Sequence, residues 1–328
     1  MAIKIILIRE DKTGWDITDI VTKITWSGRR ESPARSLKLE ILDDPDLGEN
    51  NRPKIDVYQG NHVIMLEDGN ELFRGIFMRQ SRNEQRKLTV DAYDNAIYLS
   101  NNQDAYKYKK KTAQQIFLDL CNRYEIPRGE ATPTVYKIKN LVQTNATPFD
   151  ILSDALSQTY KATGERYYVQ SKKGLLNLIQ RRQNKVQLVV ETGSNITNYT
   201  YTKDISKTRT RLKLFSDKGK VKAKVQDDEL EQRIGMMQAV MTPDQNLKKK
   251  QLKSLAESLL QQYIQPQETL SVKVLGASDV ISGVCVYFSV PEIGIEKSYY
   301  VDADTHTWDA GFHSMQLTLN GGILEEAD

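Results

Sequence analysis

The chain has 328 residues, with 46 lysines and arginines against 43 aspartates and glutamates and a formal charge of +3. That length holds two or three compact domains with ordinary cores, and so even a charge balance excludes a chain built throughout to hold nucleic acid. No apolar run approaches a membrane span, and the opening Ile3 to Ile8, interrupted by Lys4 and closed by Arg9, Glu10 and Asp11, predicts a first strand and not a signal peptide.

A soluble protein is therefore expected, acting in the cytoplasm or leaving the cell by lysis or within a larger particle. Cys121 and Cys285 lie far apart in apolar surroundings, which predicts two buried free thiols and no disulfide. Sixteen tyrosines suit β-structure and partner surfaces alike.

Residues 1–105 read as a β-rich, barrel-like domain. Leu37, Leu39 and Ile41 alternate with Lys38 and Glu40, and Asp43, Asp44, Pro45 and Asp46 end that strand as a turn. Strands at Val57, Val63 to Leu66, Phe73 to Met78 and Leu88 to Tyr93 follow, separated by turns at Gln59–Asn61, Asp68–Asn70 and Arg82–Glu84.

Residues 106–185 read as a small α/β insert. Thr112 opens a capping box with Gln115, and Ala113, Ile116, Phe117, Leu120, Cys121 and Tyr124 recur at helical spacing before Pro127. Thr147 and Pro148 begin a second helix whose stripe runs from Ile151 to Tyr160 and stops at Gly164. Tyr167–Val169 and Leu175–Ile179 then flank a hairpin turn at Lys173 and Gly174.

Residues 186–328 return to strands and form a second barrel-like domain with one embedded helix, about 243–265. Strands are expected at Leu188–Glu191, Tyr199–Thr202, Thr210–Phe215 and Val221–Val225. Thr242 and Pro243 start the helix and Pro266 stops it. Behind it, Leu270, Val272 and Val274, then Val284 to Val290, then His313, Met315, Leu317 and Leu319 each alternate with polar residues, the pattern of strands sharing one greasy face. The fold class expected is α+β, mainly β: two barrel-like modules separated by an α/β insert.

Chemistry is hard to find. The three histidines, His62, His306 and His313, show no metal-ligand spacing, and no phosphate-loop, dinucleotide, nucleophile-elbow or C-x-x-C motif occurs. Asp302, Asp304 and His306 form a D-x-D-x-H string able in principle to bind a metal or to act as acid and base. Residues at that spacing share one side of a strand, so the plainer reading, a solvated strand edge, weighs more. Asp43, Asp44, Asp46 and Glu49 lack the glycine-centred spacing of a calcium loop.

Two basic runs remain, Lys107–Lys111 with Tyr106 and Tyr108 interleaved, and Lys248–Lys250 with Lys253. Tyrosines among lysines suit stacking on single-stranded nucleic acid. A domain junction for the first run and a solvated helix face for the second are the stronger readings. Arg209 and Arg211 alternate with Thr208 and Thr210 as interface-rim or solvent residues. No catalytic, cofactor or metal residue is assigned.

Several segments together resemble the baseplate hub proteins of contractile phage tails, phage-like particles and R-type tailocins, the late control protein D-like hubs. They are Trp15–Thr18 with Val21–Trp26, Ala34–Ile41, Phe73–Phe77, Asp91–Asp94 leading to Leu99, Thr112–Ile116 and Tyr300–His306. These are loose patterns, specific only in their joint order along nearly the whole chain.

The resemblance implies a structural, non-enzymatic homotrimer. Two tube-like β-domains per subunit would make a pseudo-sixfold ring that joins the hexameric tail tube to the trimeric spike. Partners would be the spike, the tube and other baseplate or tape-measure proteins, with no nucleic acid, membrane or cofactor. The place would be the virion tail baseplate, assembled in the bacterial host cytoplasm. It also implies a structural role for Asp302 to His306; some relatives carry a fused cell-wall domain, for which a chain ending at Asp328 just after the final strand is expected to have no room. A tail-associated cell-wall hydrolase using scattered carboxylates, or a nucleic-acid-binding β-barrel, are the alternatives.

Overall fold

Period-two alternation builds most of this molecule. The computed structural model describes residues 2–30, 32–42, 57–84, 87–181, 185–216, 218–243 and 249–321. The Asp43–Asp46 turn, Glu49 and Lys248 lie outside them. The chain is α+β and mainly β, and it divides into two compact units: 1–197 with 273–317, and 198–272 with the end of the last strand from Thr318.

The first unit opens with β1 (Ile3–Ile8), β2 (Gly14–Asp16), β3 (Val21–Arg29), β4 (Ser36–Leu42), β5 (His62–Glu67), β6 (Asn70–Arg82) and β7 (Lys87–Asp94). With β23 (Ala303–Asp309) they pair in the order β23-β3-β4-β7-β6-β5-β1-β2, all antiparallel where the register is defined. Asp68 and Gly69, both at positive φ, make the two-residue turn between β5 and β6. Val57 is buried in the core but stands outside any strand, contrary to its expected place in one.

Register decides which residues face inward. His306, Trp26, Leu37, Ala92 and Phe77 lie opposite one another across β23, β3, β4, β7 and β6. Trp308, Ile24, Leu39 and Val90 form the next row. Both rows belong to a buried face whose apolar members pack with Ile5, Leu7, Val63 and Met65, and each large apolar side chain so removed from water contributes about 1.5–3 kcal/mol.

The insert follows as β8 (Asp104–Tyr108), β9 (Lys111–Thr112), α1 (Ala113–Arg123), β10 (Arg128–Ala131), β11 (Lys137–Ile138), β12 (Leu141–Ala146), α2 (Pro148–Thr163), β13 (Tyr167–Lys172) and β14 (Leu175–Gln180). Both helices start as their sequences predict, with reciprocal capping boxes Thr112/Gln115 and Thr147/Asp150. Gly164, at φ 75°, ends α2. Lys173 joins Gly174 at positive φ, so the hairpin turn needs both residues there and not the glycine alone. β10, β14 and β13 form a three-stranded sheet with β13 at its edge.

Next come β15 (Lys185–Glu191), β16 (Ile196–Asp204), β17 (Arg211–Phe215), β18 (Val221–Gln226), α3 (Asp228–Ile234), β19 (Gln238–Met241), α4 (Lys249–Tyr263) and β20 (Gln267–Leu275). The chain closes with β21 (Cys285–Val290), β22 (Ile295–Tyr300), β23 and β24 (Phe312–Gly321). In the first unit β15 runs parallel to β21, which pairs antiparallel with β22. Both cysteines are free and buried.

The second unit is a small α/β layer of its own. β17 lies between antiparallel β18 and parallel β19, and its Leu212 and Leu214 pack on Leu252, Ala256 and Leu260 of α4. The helix expected from Thr242 and Pro243 is described only from Lys249, and residues 242–243 themselves are not helical. Proline suits a first helical turn, but it suits extended chain equally, so it does not fix the start. A second helix, α3, was not expected. Its seven residues are too few to show a 3.6-residue period, and only the Asp227 cap, accepting the Leu230 N–H at 2.9 Å, announces it.

Candidate functional site

The D-x-D-x-H string does not form a solvated edge. β23 has β3 on one side, and Asp302, Asp304 and His306 are buried, His306 completely. The reason is register: His306 lies opposite Trp26 in the apolar row, and Asp304 lies opposite Gly28. A side chain at Gly28 would come within 2.3 Å of Arg35 Nη1, so the missing Cβ is the space that the guanidinium occupies.

Arg35, just before β4, fills that space. Its guanidinium stacks 4.1 Å over the Trp26 ring. Its Nη1 and Nη2 donate to the two oxygens of Asp304 at 2.8 and 2.5 Å. Asp304 Oδ1 also accepts the Ser282 N–H at 2.6 Å. Beside it Arg30 Nε meets Asp302 at 3.2 Å. Asp94 accepts the backbone N–H groups of Arg35 and Ala96 at 3.2 and 2.9 Å, and burial raises its carboxyl to about 7.

The histidines complete the cluster. A carbonyl only accepts, so His306 Nε2, 3.0 Å from the Val280 carbonyl, carries the hydrogen, and its Nδ1 accepts from His313 Nε2 at 3.1 Å. Burial pushes both imidazoles down to about 4, against the pull of Asp304 on His306. They are neutral at pH 7. His313 stacks 4.0 Å from Trp308, and a Cβ at Gly276 would reach its ring at 2.1 Å. Ala310 and Gly311, both at positive φ, make the hairpin turn that brings β24 and His313 back to β23.

This arrangement is a strut. Each oxygen of Asp304 is occupied, and the adjoining cavity of about 30 Å³ is scarcely larger than a water molecule needs. The network ties the end of β23 to β3, to the chain before β4 and to residues 280–282. Sequence spacing missed the histidine pair, whose signal was the Asp309-Ala310-Gly311 turn between two alternating runs.

The basic runs resolve differently. Tyr106 and Tyr108 point into the core of the insert, with their hydroxyls bonded to Tyr124 and Asp119 at 2.7 and 2.6 Å, so neither is presented for stacking. Lys107, Lys109, Lys110 and Lys111 are exposed. Lys249 and Lys250 open α4 on exposed positions, and Lys253 pairs with Glu257 one turn on. Thr208 and Thr210 are buried; Arg209 donates to the Ser206 and Thr208 carbonyls, and Arg211 grips Glu231. A third basic run lies in the second unit. Lys222 and Lys224 alternate along β18 with Val221, Ala223 and Val225, Lys220 stands just before the strand, and Lys224 lies directly opposite Lys213.

The comparisons with known proteins point one way. A family profile described as YQBQ-like matches residues 24–320. The chain is 32% identical over 323 residues to YqbQ of Bacillus subtilis (strain 168), covering 97% of this chain and 96% of that one. It is 32% identical over 304 residues to the phage-like element PBSX protein XkdQ of the same organism, covering 92% of each. Among solved structures, the prophage MuSo2 43 kDa tail protein from Shewanella oneidensis has the same fold, with a TM-score of 0.72 at 15% identity over 96% of this chain and 97% of that one. Sequence likeness that runs from Ile24 in β3 to Asn320 in β24 takes in every element of the buried strut, and on that ground the chain belongs to the YQBQ-like family.

Proposed function

We propose that the protein is the structural baseplate hub of a contractile phage tail or phage-like particle. Three copies form a ring that adapts the hexameric tail tube to the trimeric spike. The observation that carries this reading is the 32% identity, over 92% of the chain, to a protein of the phage-like element PBSX. The fold shared with a prophage tail protein over almost the whole of both chains supports it.

In this reading the N-terminal β-domain 1–105 and the β-domain 186–328 supply two similar walls per subunit, so that three copies present six to the tube, and the insert 106–185 lies between them in sequence. The protein works by assembling with spike, tube and neighbouring baseplate or tape-measure proteins in the virion tail, after assembly in the host cytoplasm. It needs no catalytic group, metal or cofactor. Asp302 and Asp304, the carboxylates a hydrolase reading would enlist, are both held by arginines.

The test is the mass of the purified protein by light scattering, alone and mixed with the spike protein encoded beside it. A trimer, alone or on adding spike, is expected, with an interface burying on the order of 2,000 Å² or more. A protein that stays monomeric with spike present overturns the reading.

A further inference from the structure

The sheet of the second unit is covered on one face. Leu212 and Leu214 of β17 pack on α4 together with Ala223 and Val225 of β18 and Ala239 and Met241 of β19. Side chains alternate along a strand, so the residues between these point to the opposite face.

Register arranges that opposite face. Lys213 has Lys224 directly across from it on β18 and Val240 directly across on β19. One step on, a bulge sets Val221 and Lys222 together against Phe215. At the other end Arg211 is matched by Glu231 of α3. None of the three strands carries an aspartate or glutamate, and among the described residues no ion pair reaches Lys213, Lys222 or Lys224.

Two features of this face are costly as they stand. Like charges directly opposite on a ladder repel. A solvated sheet face is normally polar, yet Val221 and Val240 are 54% and 63% exposed. Cations without counterions beside bare apolar groups are complemented by a surface that brings carboxylates and apolar side chains together. Nucleic-acid phosphates would match the lysines but leave both valines against charge.

The face also restricts the partner's conformation. It offers side chains and no backbone donors or acceptors, since those are spent within the plane of the sheet. A segment laid across it must satisfy its own backbone groups, as a helix does. α4 covers the other face in that way. A helix with an apolar stripe and carboxylates along one flank suits the layout: the stripe lies on Phe215 and Val240, and the carboxylates reach the lysines of β17 and β18.

We propose that the open face of the β18-β17-β19 sheet docks an acidic amphipathic helix of a partner protein. The proposal rests on this sheet alone and stands or falls apart from the hub reading.

The test is fluorescence anisotropy of the full chain with a labelled, end-blocked peptide of about 20 residues, long enough to hold a helix. On an alanine background it carries a leucine stripe at helical spacing and a row of glutamates beside it. Its companions are a peptide of the same composition in scrambled order, one with lysine in place of glutamate, and a labelled DNA duplex. Saturable binding of the first peptide is expected, weakened about tenfold or more by scrambling and by lysine. Lys224→Glu and Val240→Ser, both at exposed positions, are each expected to weaken it about fivefold or more, with circular dichroism reporting that the fold persists.

No saturable binding overturns the proposal. Equal binding of the scrambled peptide overturns the helix, because charge alone would then account for the attraction. Tighter binding of the duplex assigns the face to nucleic acid. Unchanged binding by the two folded variants places the peptide elsewhere and overturns the proposal as well. Self-association of the parent chain that Lys224→Glu abolishes, read by light scattering, gives the face to a second copy and overturns the partner helix.

Discussion

Two bidentate arginine–carboxylate pairs, one made through Nη1 and Nη2 of Arg35 and the other through Nε and Nη2 of Arg211, sit in different surroundings. In the first unit Arg35 and Asp304 are sealed in, with side-chain exposures of 8% and 0%, while in the second Arg211 and Glu231 remain open to 25% and 18%. The sealed pair is part of a shared network with Trp26, Ser282 and the histidines. The open pair joins the middle of α3 to β17, beside the buried Thr210 and Leu212, with both of its own side chains still reaching water. Two doubly hydrogen-bonded pairs therefore carry unequal consequences. Losing one partner strands a charge in the first case and merely re-solvates it in the second.

The largest effect expected is from Arg35→Ala or Asp304→Ala, each about 3–5 kcal/mol less stable, because the survivor is a buried charge without its counterion. Urea unfolding measures it. The double change Arg35→Met with Asp304→Leu is expected to recover much of the loss, since a buried pair replaced together by apolar groups costs little. If both single variants unfold at the midpoint of the parent, the strut is not structural.

Next in size is Gly276→Ala. The added methyl meets three atoms of the His313 ring within 2.3 Å, and that ring has Trp308 stacked against it and His306 bonded to it. A ring held on two sides cannot yield, so about 2–3 kcal/mol of overpacking is expected. Alanine at Gly219 of the second unit has no neighbour within 4 Å to meet, though its φ of 73° makes it strained. The difference between the two variants, measured by thermal melting, isolates packing from backbone strain.

How much of this was legible in the sequence depends on the distance between the partners. The caps at Thr112 and Thr147, the αL stop at Gly164 and the hairpin at Lys173–Gly174 are made by residues within a few positions of each other, and each could be read directly. Arg35 and Asp304 are 269 positions apart, and nothing local connects them. The D-x-D-x-H string was visible, but only the pairing of β23 with β3 sends its side chains inward. Alternation gives two faces without saying which is buried when the apolar set is Val301, Ala303 and Thr305 on one side and a histidine lies among carboxylates on the other. α3 and the lysines of β18 were missed for a different reason: one was too short for periodicity, and the others are interleaved with small apolar residues.

A third prediction uses pH to compare charges inside the buried cluster. The folded protein holds His306 and His313 neutral down to about 4, whereas the unfolded chain protonates them near 6.5, so their contribution is complete above 6.5 and is lost as pH falls toward 4. For His306 alone this is on the order of 3 kcal/mol. Asp94 works in the opposite sense: raised from 3.8 to about 7, it favours the folded state at low pH and withdraws that stability as pH rises across this interval. The two slopes oppose each other between pH 4 and 6.5. Removing one should expose the other, so Asp94→Asn is expected to steepen the rise in urea midpoint with pH over that window, and His306→Asn to flatten or reverse it. The readout is slope, which separates titration from any constant loss of hydrogen bonding. Slopes unchanged in both variants would mean that these groups do not titrate as their burial requires.

The smallest effect should fall on the open pair. Arg211 Nε and Nη2 each donate to Glu231 at 2.5 Å, so geometry alone would rank it with Arg35. Water reaches both partners, however, and stands ready to hydrate whichever is left. Arg211→Met is therefore expected to cost about 1 kcal/mol or less, and added salt should shrink that difference because an exposed pair is screened over about 10 Å at 0.1 M. The Arg35→Ala loss, sealed from ions, should hold its size as salt is added. A salt-independent loss of 3 kcal/mol or more at Arg211 would break the comparison, showing that α3 is held to β17 by this pair as firmly as β23 is held by Asp304.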